Sequence, residues 1–511
     1  MQGETFLFER IPKSKPYELL GEAERLWLLA EYDRAIAILI RLEPNERVIA
    51  LLAKILSRQR KTVEAVALVE TYCKAHGDRP LLCAIAACAA AQFEPANVVD
   101  DWIARVGWLR LCPARVRGEA AFYVAQAYWI SARYDEAEII IPMTCADGSP
   151  NGTLRSRILV GLQHGVKGRY AAQARVLAFA MTRARGQFVE TFLLANALHT
   201  LAGLAAELPN VIDTVALQQH FDQVAWPEQK IMSRFQAMRC LASRYAMDGK
   251  FEQAYRLLWQ AVKSAPTSAC KLHVSLDLVR FAQWCGDARY AHANLCRAIE
   301  FAGVHDLSNL TADEMPVLLN FAEALAESNS EQALRWITRY EDMKLDDRLG
   351  SLLRDHRLEA AANFARGVVH HHAGNRVPAE DALRKAFEVF SAIGYDWRAA
   401  RAAFILHEIT RAKKWASACK KYLGDYPPNT IGKAGALAIA AFYDPEYGSL
   451  TPAERELFQM LLVDNLSLRD IAAKSHRAIG TCKLHLKAVM KKLGAHSQEE
   501  LRRIAKAKNL I

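Results

Sequence analysis

The residues best placed to do chemistry are the basic ones at the carboxy-terminal end. From Lys474 onward stand Lys474, Arg477, Lys483, Lys487, Lys491, Lys492, Arg502, Arg503, Lys506 and Lys508, ten cations against Glu499 and Glu500 alone. The whole chain carries a formal net charge of +10, of which residues 450–511 hold +6 and the preceding 449 residues only +4. A basic excess gathered at one end is the footprint of a polyanion, because each ammonium or guanidinium can displace a counterion from a phosphate. A solvated basic face is the competing reading of the charge taken by itself.

Catalytic groups are not assembled anywhere in the sequence. There is no G-x-x-x-x-G-K-[ST] phosphate loop, of which Ile431-Gly-Lys-Ala434 is only a fragment, no metal-ligand spacing and no nucleophile constellation. His370-His371-His372 invites a metal reading, but neighbours on a helix point about 100° apart and cannot all ligate one ion. Cys83 and Cys88, set among alanines, read as core thiols. The eleven cysteines form no C-x-x-C pair, and buried free thiols are expected, Cys296 included. The expectation is a protein that is not an enzyme and uses no metal, cofactor or ATP. No long apolar run and no apolar leader within Met1–Lys15 is present, so a cytoplasmic chain without membrane contact is expected.

The elements that must carry the basic end are helices. A chain of 511 residues exceeds what one core supports, so several domains or an elongated array are required. Through residues 1 to about 440 the apolar spacing is helical, as in Ala35, Ile36, Leu39 and Leu42 or Leu257, Leu258, Ala261 and Val262. An aromatic followed three residues later by alanine recurs at Tyr32/Ala35, Tyr134/Ala137, Phe251/Ala254, Tyr290/Ala293 and Trp415/Ala418. Weaker echoes stand at Thr62/Ala65, Ser330/Ala333 and Ala379/Ala382. The aromatic would fill the space between two antiparallel helices while the alanine lets their backbones approach. The separations approximate multiples of thirty to forty residues, the size of one helix-turn-helix repeat unit. Asp248 to Pro266, and Glu31 to Pro44, resemble the second half of a tetratricopeptide repeat. That resemblance implies a superhelix of helix pairs whose concave face binds a protein, peptide or small molecule; a bundle of unrelated helices is the alternative.

Gly and Pro cluster at Gly424 to Asn429 and at Asp444 to Ser449, which places a linker at 441–449 between a repeat domain at 1–440 and a terminal domain at 450–511. Within the latter, Thr451-Pro-Ala-Glu454, Ser467-Leu-Arg-Asp470 and Ser497-Gln-Glu-Glu500 each set a hydroxyl three residues ahead of an acid. This is the capping-box spacing that starts a helix, with Pro452 suited to the first helical position. A further helix is expected over Thr481–Leu493, stopped by Gly494, giving four short helices.

At this point the sequence resembles the LuxR/FixJ-type helix-turn-helix family over roughly Leu450 to Leu510. The matching residues are Leu450 to Glu456, Leu466-Ser467, Asp470-Ile471-Ala472, Thr481-Cys-Lys-Leu-His485-Leu486 and Lys491 to Ser497. The resemblance implies an all-α protein, a tetratricopeptide-like superhelix followed by a four-helix DNA-binding domain. It also implies that the helix bearing Thr481 lies in the major groove of double-stranded DNA. Lys483, Leu484 and Lys487 then share one face, the lysines reaching guanine acceptors or phosphates and Leu484 a thymine methyl. Thr481, His485, Lys491, Lys492 and Arg477 complete the expected DNA-binding set. Leu501, Ile504 and Ala505 on one face of the last helix suggest a homodimer on DNA; closing the four-helix core is the alternative role of the same residues. Two departures stand out: Asn465 sits in a lengthened Val463-to-Leu466 turn, and Ser475-His-Arg-Ala478 lacks the usual aliphatics and helix-capping hydroxyl. A degenerate head that packs on another regulator, making the protein an adaptor, is the alternative function.

Overall fold

A computed structural model describes residues 16–208, 211–284, 288–305, 307, 310, 314–344, 356–423, 450–462 and 466–507. Every regular element among these is a helix. The chain divides into two compact units, one drawn from Met1–Ala237, Asp347–Glu359 and Glu388–Arg398, the other from Met238–Asp346, Ala360–Phe387 and Ala399–Ile511. The linker at 441–449, the fragment Ile431–Ala434 and the turn bearing Asn465 lie outside the described residues.

Many helices pack against the next one along the chain. The first twelve are α1 Pro16–Leu28, α2 Tyr32–Leu39, α3 Glu46–Arg58, α4 Thr62–His76, α5 Pro80–Ala90, α6 Ala96–Val106, α7 Ala114–Ile130, α8 Tyr134–Ile140, α9 Pro150–Val166, α10 Tyr170–Ala184, α11 Thr191–Glu207 and α12 Thr214–Gln223. Ten more continue the array: α13 Ile231–Met247, α14 Phe251–Ser264, α15 Ser268–Trp284, α16 Ala288–Val304, α17 Pro316–Leu325, α18 Ser330–Lys344, α19 His356–His372, α20 Arg376–Ala392, α21 Asp396–Thr410 and α22 Lys413–Leu423.

One turn is built repeatedly. The first helix of a pair ends on a residue in the left-handed region: Ala30, Arg60, Ala132, Gly168, Gly249 or Gly374. The next N–H then donates to the carbonyl five residues back, Glu31 to Leu26, Lys61 to Leu56, Arg133 to Tyr128, Arg169 to His164, Lys250 to Tyr245 and Asn375 to His370, all at 2.8–2.9 Å. This Schellman closure satisfies a helix-end carbonyl, and the second helix starts on the following residue. Its fourth residue is a small one in five of these six pairs. There stand Ala35, Ala65, Ala137, Ala254 and Ala379, all buried. In α10 that position is Gln173, and the facing residue is Gly165, where an added Cβ would come within 2.6 Å of Gln173 Oε1. The large and small partners have changed sides.

Two aromatic-alanine pairs and one of the weaker echoes need correction. Ala293 is exposed, and Tyr290 is the third residue of α16 rather than the first. In α20, which begins at Arg376, Ala379 itself is the small fourth residue, so Ala379/Ala382 is out of register. Trp415 is buried as the third residue of α22, and Ala418 is only partly covered. Ser330 and Ala333 hold the first and fourth positions of α18 as expected. Cys83 and Cys88 are buried, and burial pushes both thiols up to about 12. Cys296, by contrast, is exposed on α16 because its neighbours Asn294 and Leu295 take the inward positions.

A charge network lies inside the amino-terminal unit. Lys54 Nζ is 2.6 Å from Glu119 Oε1, Arg155 bridges Glu119 at 3.1 Å and Glu190 at 3.7 Å, and Arg58 meets Glu190 at 2.9 Å. Burial alone would raise the Glu119 carboxyl, but Lys54 and Arg155 beside it hold it down to about 2. Such groups persist in an interior only when paired.

Candidate nucleic-acid interface

The terminal domain, or head, consists of α23 Pro452–Leu462, α24 Leu468–Lys474, α25 Ile479–Leu493 and α26 Gln498–Ala507. Its apolar residues make a core of their own, among them Leu457, Phe458, Leu461, Ile471, Leu486, Val489, Leu493 and Leu501.

Each cap found in the sequence forms. The Thr451 N–H donates to Glu454 Oε2 at 2.6 Å and the Glu454 N–H to Thr451 Oγ1 at 3.4 Å. Ser467 and Asp470 make the same reciprocal pair at 3.3 and 3.2 Å. At Ser497 the hydroxyl accepts from the Glu500 N–H at 3.1 Å, but the Glu500 carboxylate reaches back one residue further, to the His496 N–H at 2.8 Å.

Helix α25 begins at Ile479, two residues earlier than expected, with Ala478 at its N-cap and no side chain capping it. The turn before it closes through His476, whose φ is 54°, with the Arg477 N–H donating to the Ala472 carbonyl at 3.0 Å. This is the array's Schellman turn in a second setting. Ser475 to Ala478 contribute nothing to the head core, in line with the missing aliphatics. Gly494 ends α25 in the left-handed conformation as expected.

The two faces of α25 differ sharply. Cys482, Leu486, Val489 and Leu493 are buried on one. On the other, Thr481, Lys483, Lys487 and Lys491 are exposed and Leu484 is 70% exposed, while His485 is half-buried at the margin. Leu484 lies outside the head core and is exposed alongside these lysines.

Two members of the expected set also pair with acids of α23. Arg477 donates to Glu456 Oε2 at 2.6 Å and Lys492 to Glu454 Oε2 at 2.7 Å, so both tie α25 and its approach to α23. On α26, Leu501 is fully buried and Ile504 packs partly buried against the head core. Sequence reasoning passed over Gly480 and Ile479. Gly480 is exposed in the first turn of α25, a Cβ there would meet nothing within 4 Å, and Ile479 is 40% exposed. A helical glycine weakens a helix relative to alanine, so glycine with open space at a helix start was the available signal.

Outside the head, Cys73, Asp78 and Cys83 bring ligand atoms within 4.8 Å of one another. Arg105 donates to Asp78 Oδ1 at 3.0 and 2.8 Å, and a fixed guanidinium there opposes a metal cation. The histidines at 370–372 end α19, where His371 Nε2 lies 3.9 Å from Glu408.

Residues 448–505 match the family described as bacterial regulatory proteins, luxR family. The head is therefore a helix-turn-helix domain of the LuxR type. No curated protein matches the chain. A solved structure described as a circular tandem repeat protein with novel repeat topology and enhanced subunit contact surfaces aligns with 96% of this chain and 96% of its own, at 16% identity and a TM-score of 0.13. No described helix is long and apolar enough to cross a membrane.

Proposed function

We propose that the protein is a cytoplasmic, non-enzymatic transcription regulator whose α25 enters the major groove of double-stranded DNA. The observation that carries this reading is the exposed face of Lys483, Leu484 and Lys487 set opposite a fully buried one, on a head of the LuxR type. Lys483 and Lys487 are suited to guanine edges or phosphates and Leu484 to a thymine methyl. Thr481 and Lys491 flank them toward the backbone, and His485 stands at the edge of the contact. Arg477 and Lys492 serve first to hold the reading helix on α23. Residues 1–440 form the tetratricopeptide-like array that takes up a ligand or partner, 441–449 the linker and 450–511 the head; the self-contained head core supports that division. Two half-sites bound by a homodimer would supply the affinity that one small head lacks.

A gel-shift with genomic fragments at two salt concentrations tests the reading. Shifted fragments with a steep salt dependence are expected; no shift at low salt contradicts it. The adaptor reading is favoured by one observation, the large exposure of Leu484, which also suits a protein surface. Capture of a second regulator without any DNA shift would select it.

A further inference from the structure

Within the amino-terminal unit, α7, α9, α10 and α11 line a recess of about 240 Å³ that is partly open to solvent. Its inner wall is apolar, formed by the buried Ile158, Leu159, Leu177 and Leu193. Asn196 and Thr200 lie one turn apart on α11 and line it, and neither side chain makes a hydrogen bond among the described residues. Gln126 and His199 complete the polar edge, and no carboxylate, lysine or arginine lines the space.

An apolar hollow with a few convergent polar groups is the usual form of a small-molecule site. An engineered apolar cavity of about 150 Å³ takes up benzene, so by proportion this one suits roughly ten non-hydrogen atoms. A charged ligand would give up its hydration with no counter-charge to meet. We propose that this cavity binds a neutral, mainly apolar molecule of roughly ten non-hydrogen atoms, with one carbonyl or hydroxyl directed at Asn196 and Thr200. The proposal rests on the reading of the array as the sensing part of a regulator, and names the class of molecule sensed.

The test is calorimetric titration of the full chain, without DNA, using 2-phenylethanol, 2-heptanone and indole, with phenylacetate as the charged control. Saturable binding of at least one neutral probe is expected, with phenylacetate at least about tenfold weaker. Ala197→Leu, which grows a side chain from a cavity-lining position, should weaken the best probe at least about tenfold while leaving the melting curve intact. Thr200→Val keeps the shape and removes the hydroxyl. It should weaken the best probe several-fold, and it decides the matter if Ala197→Leu fails to fold. Binding of no neutral probe, equal binding of phenylacetate, or binding that neither variant alters overturns the proposal. A chain that shifts DNA yet takes none of the probes refutes the cavity site alone. One that binds them yet never shifts DNA refutes the regulator reading instead.

Discussion

Lys492 Nζ lies 2.7 Å from Glu454 Oε2, and that same oxygen accepts the Thr451 N–H at 2.6 Å. The last turn of α25 is thereby fastened to the first turn of α23 through a buried carboxylate. Burial would raise that carboxyl, but Lys492 and the Thr451 N–H hold it below its ordinary value. Lys491, next in sequence, is exposed and pairs with no acid among the described residues.

The two adjacent lysines should therefore respond differently to alanine. Lys491→Ala is expected to lower the salt slope of DNA binding by up to about one unit without altering head stability. Lys492→Ala should destabilise the head by about 1 kcal/mol, a modest value because the lysine is partly solvated. Hydrogen exchange of the head peptides, read beside salt titrations, separates the effects. Equal responses of the two variants would contradict the assignment.

His476 holds the left-handed position in the turn ahead of α25. Glycine adopts that conformation without a Cβ clash, so His476→Gly is expected to stabilise the head by about 0.5–1 kcal/mol. His476→Val should destabilise it, since a β-branched residue tolerates positive φ poorly. Urea denaturation followed by exchange protection in residues 466–493 gives the sign directly.

Ala254 and Ala293 looked equivalent in sequence and differ in the structure, the first buried at the helix contact and the second exposed. Ala254→Leu should cost about 1–3 kcal/mol through overpacking, and Ala293→Leu should stay within about 0.5 kcal/mol. All ten tryptophans precede residue 416, so tryptophan fluorescence reports on the array and not on the head.

Glu119 gives the array an acid dependence. Its pKa of about 2 when folded lies below the unperturbed 4.5, so its contribution is complete above pH 4.5 and is lost as pH falls toward 2. Glu119→Gln should remove that part of the acid transition. At neutral pH it should cost about 3–5 kcal/mol, because Lys54 and Arg155 lose a buried partner. Fluorescence-monitored urea curves at pH 7 and pH 3 test both statements.

Local signals in the sequence proved the most legible. The caps at Thr451, Ser467 and Ser497 and the stop at Gly494 each depend on one or two residues within four positions, and all four formed. The aromatic-alanine register failed at Tyr290 because a helix start cannot be fixed from an i, i+3 pair alone. It also missed α10, where Gln173 and Gly165 exchange the large and small roles across a pair. Charge reading did not reveal that Arg477 and Lys492 also meet acids 21 and 38 positions away, which no local pattern shows. The cavity between α7 and α11 was invisible for the same reason: its lining spans residues 126 to 200.

The most direct test replaces Lys483, Leu484 and Lys487 together by alanine and titrates the full chain on a preferred genomic fragment and on random DNA. All three are exposed, so folding should be unchanged. With α25 in the major groove, affinity for the preferred site should fall by about 1–3 kcal/mol for each lost base contact and the preference over random DNA should flatten. Binding of both DNAs at wild-type strength would contradict recognition by α25.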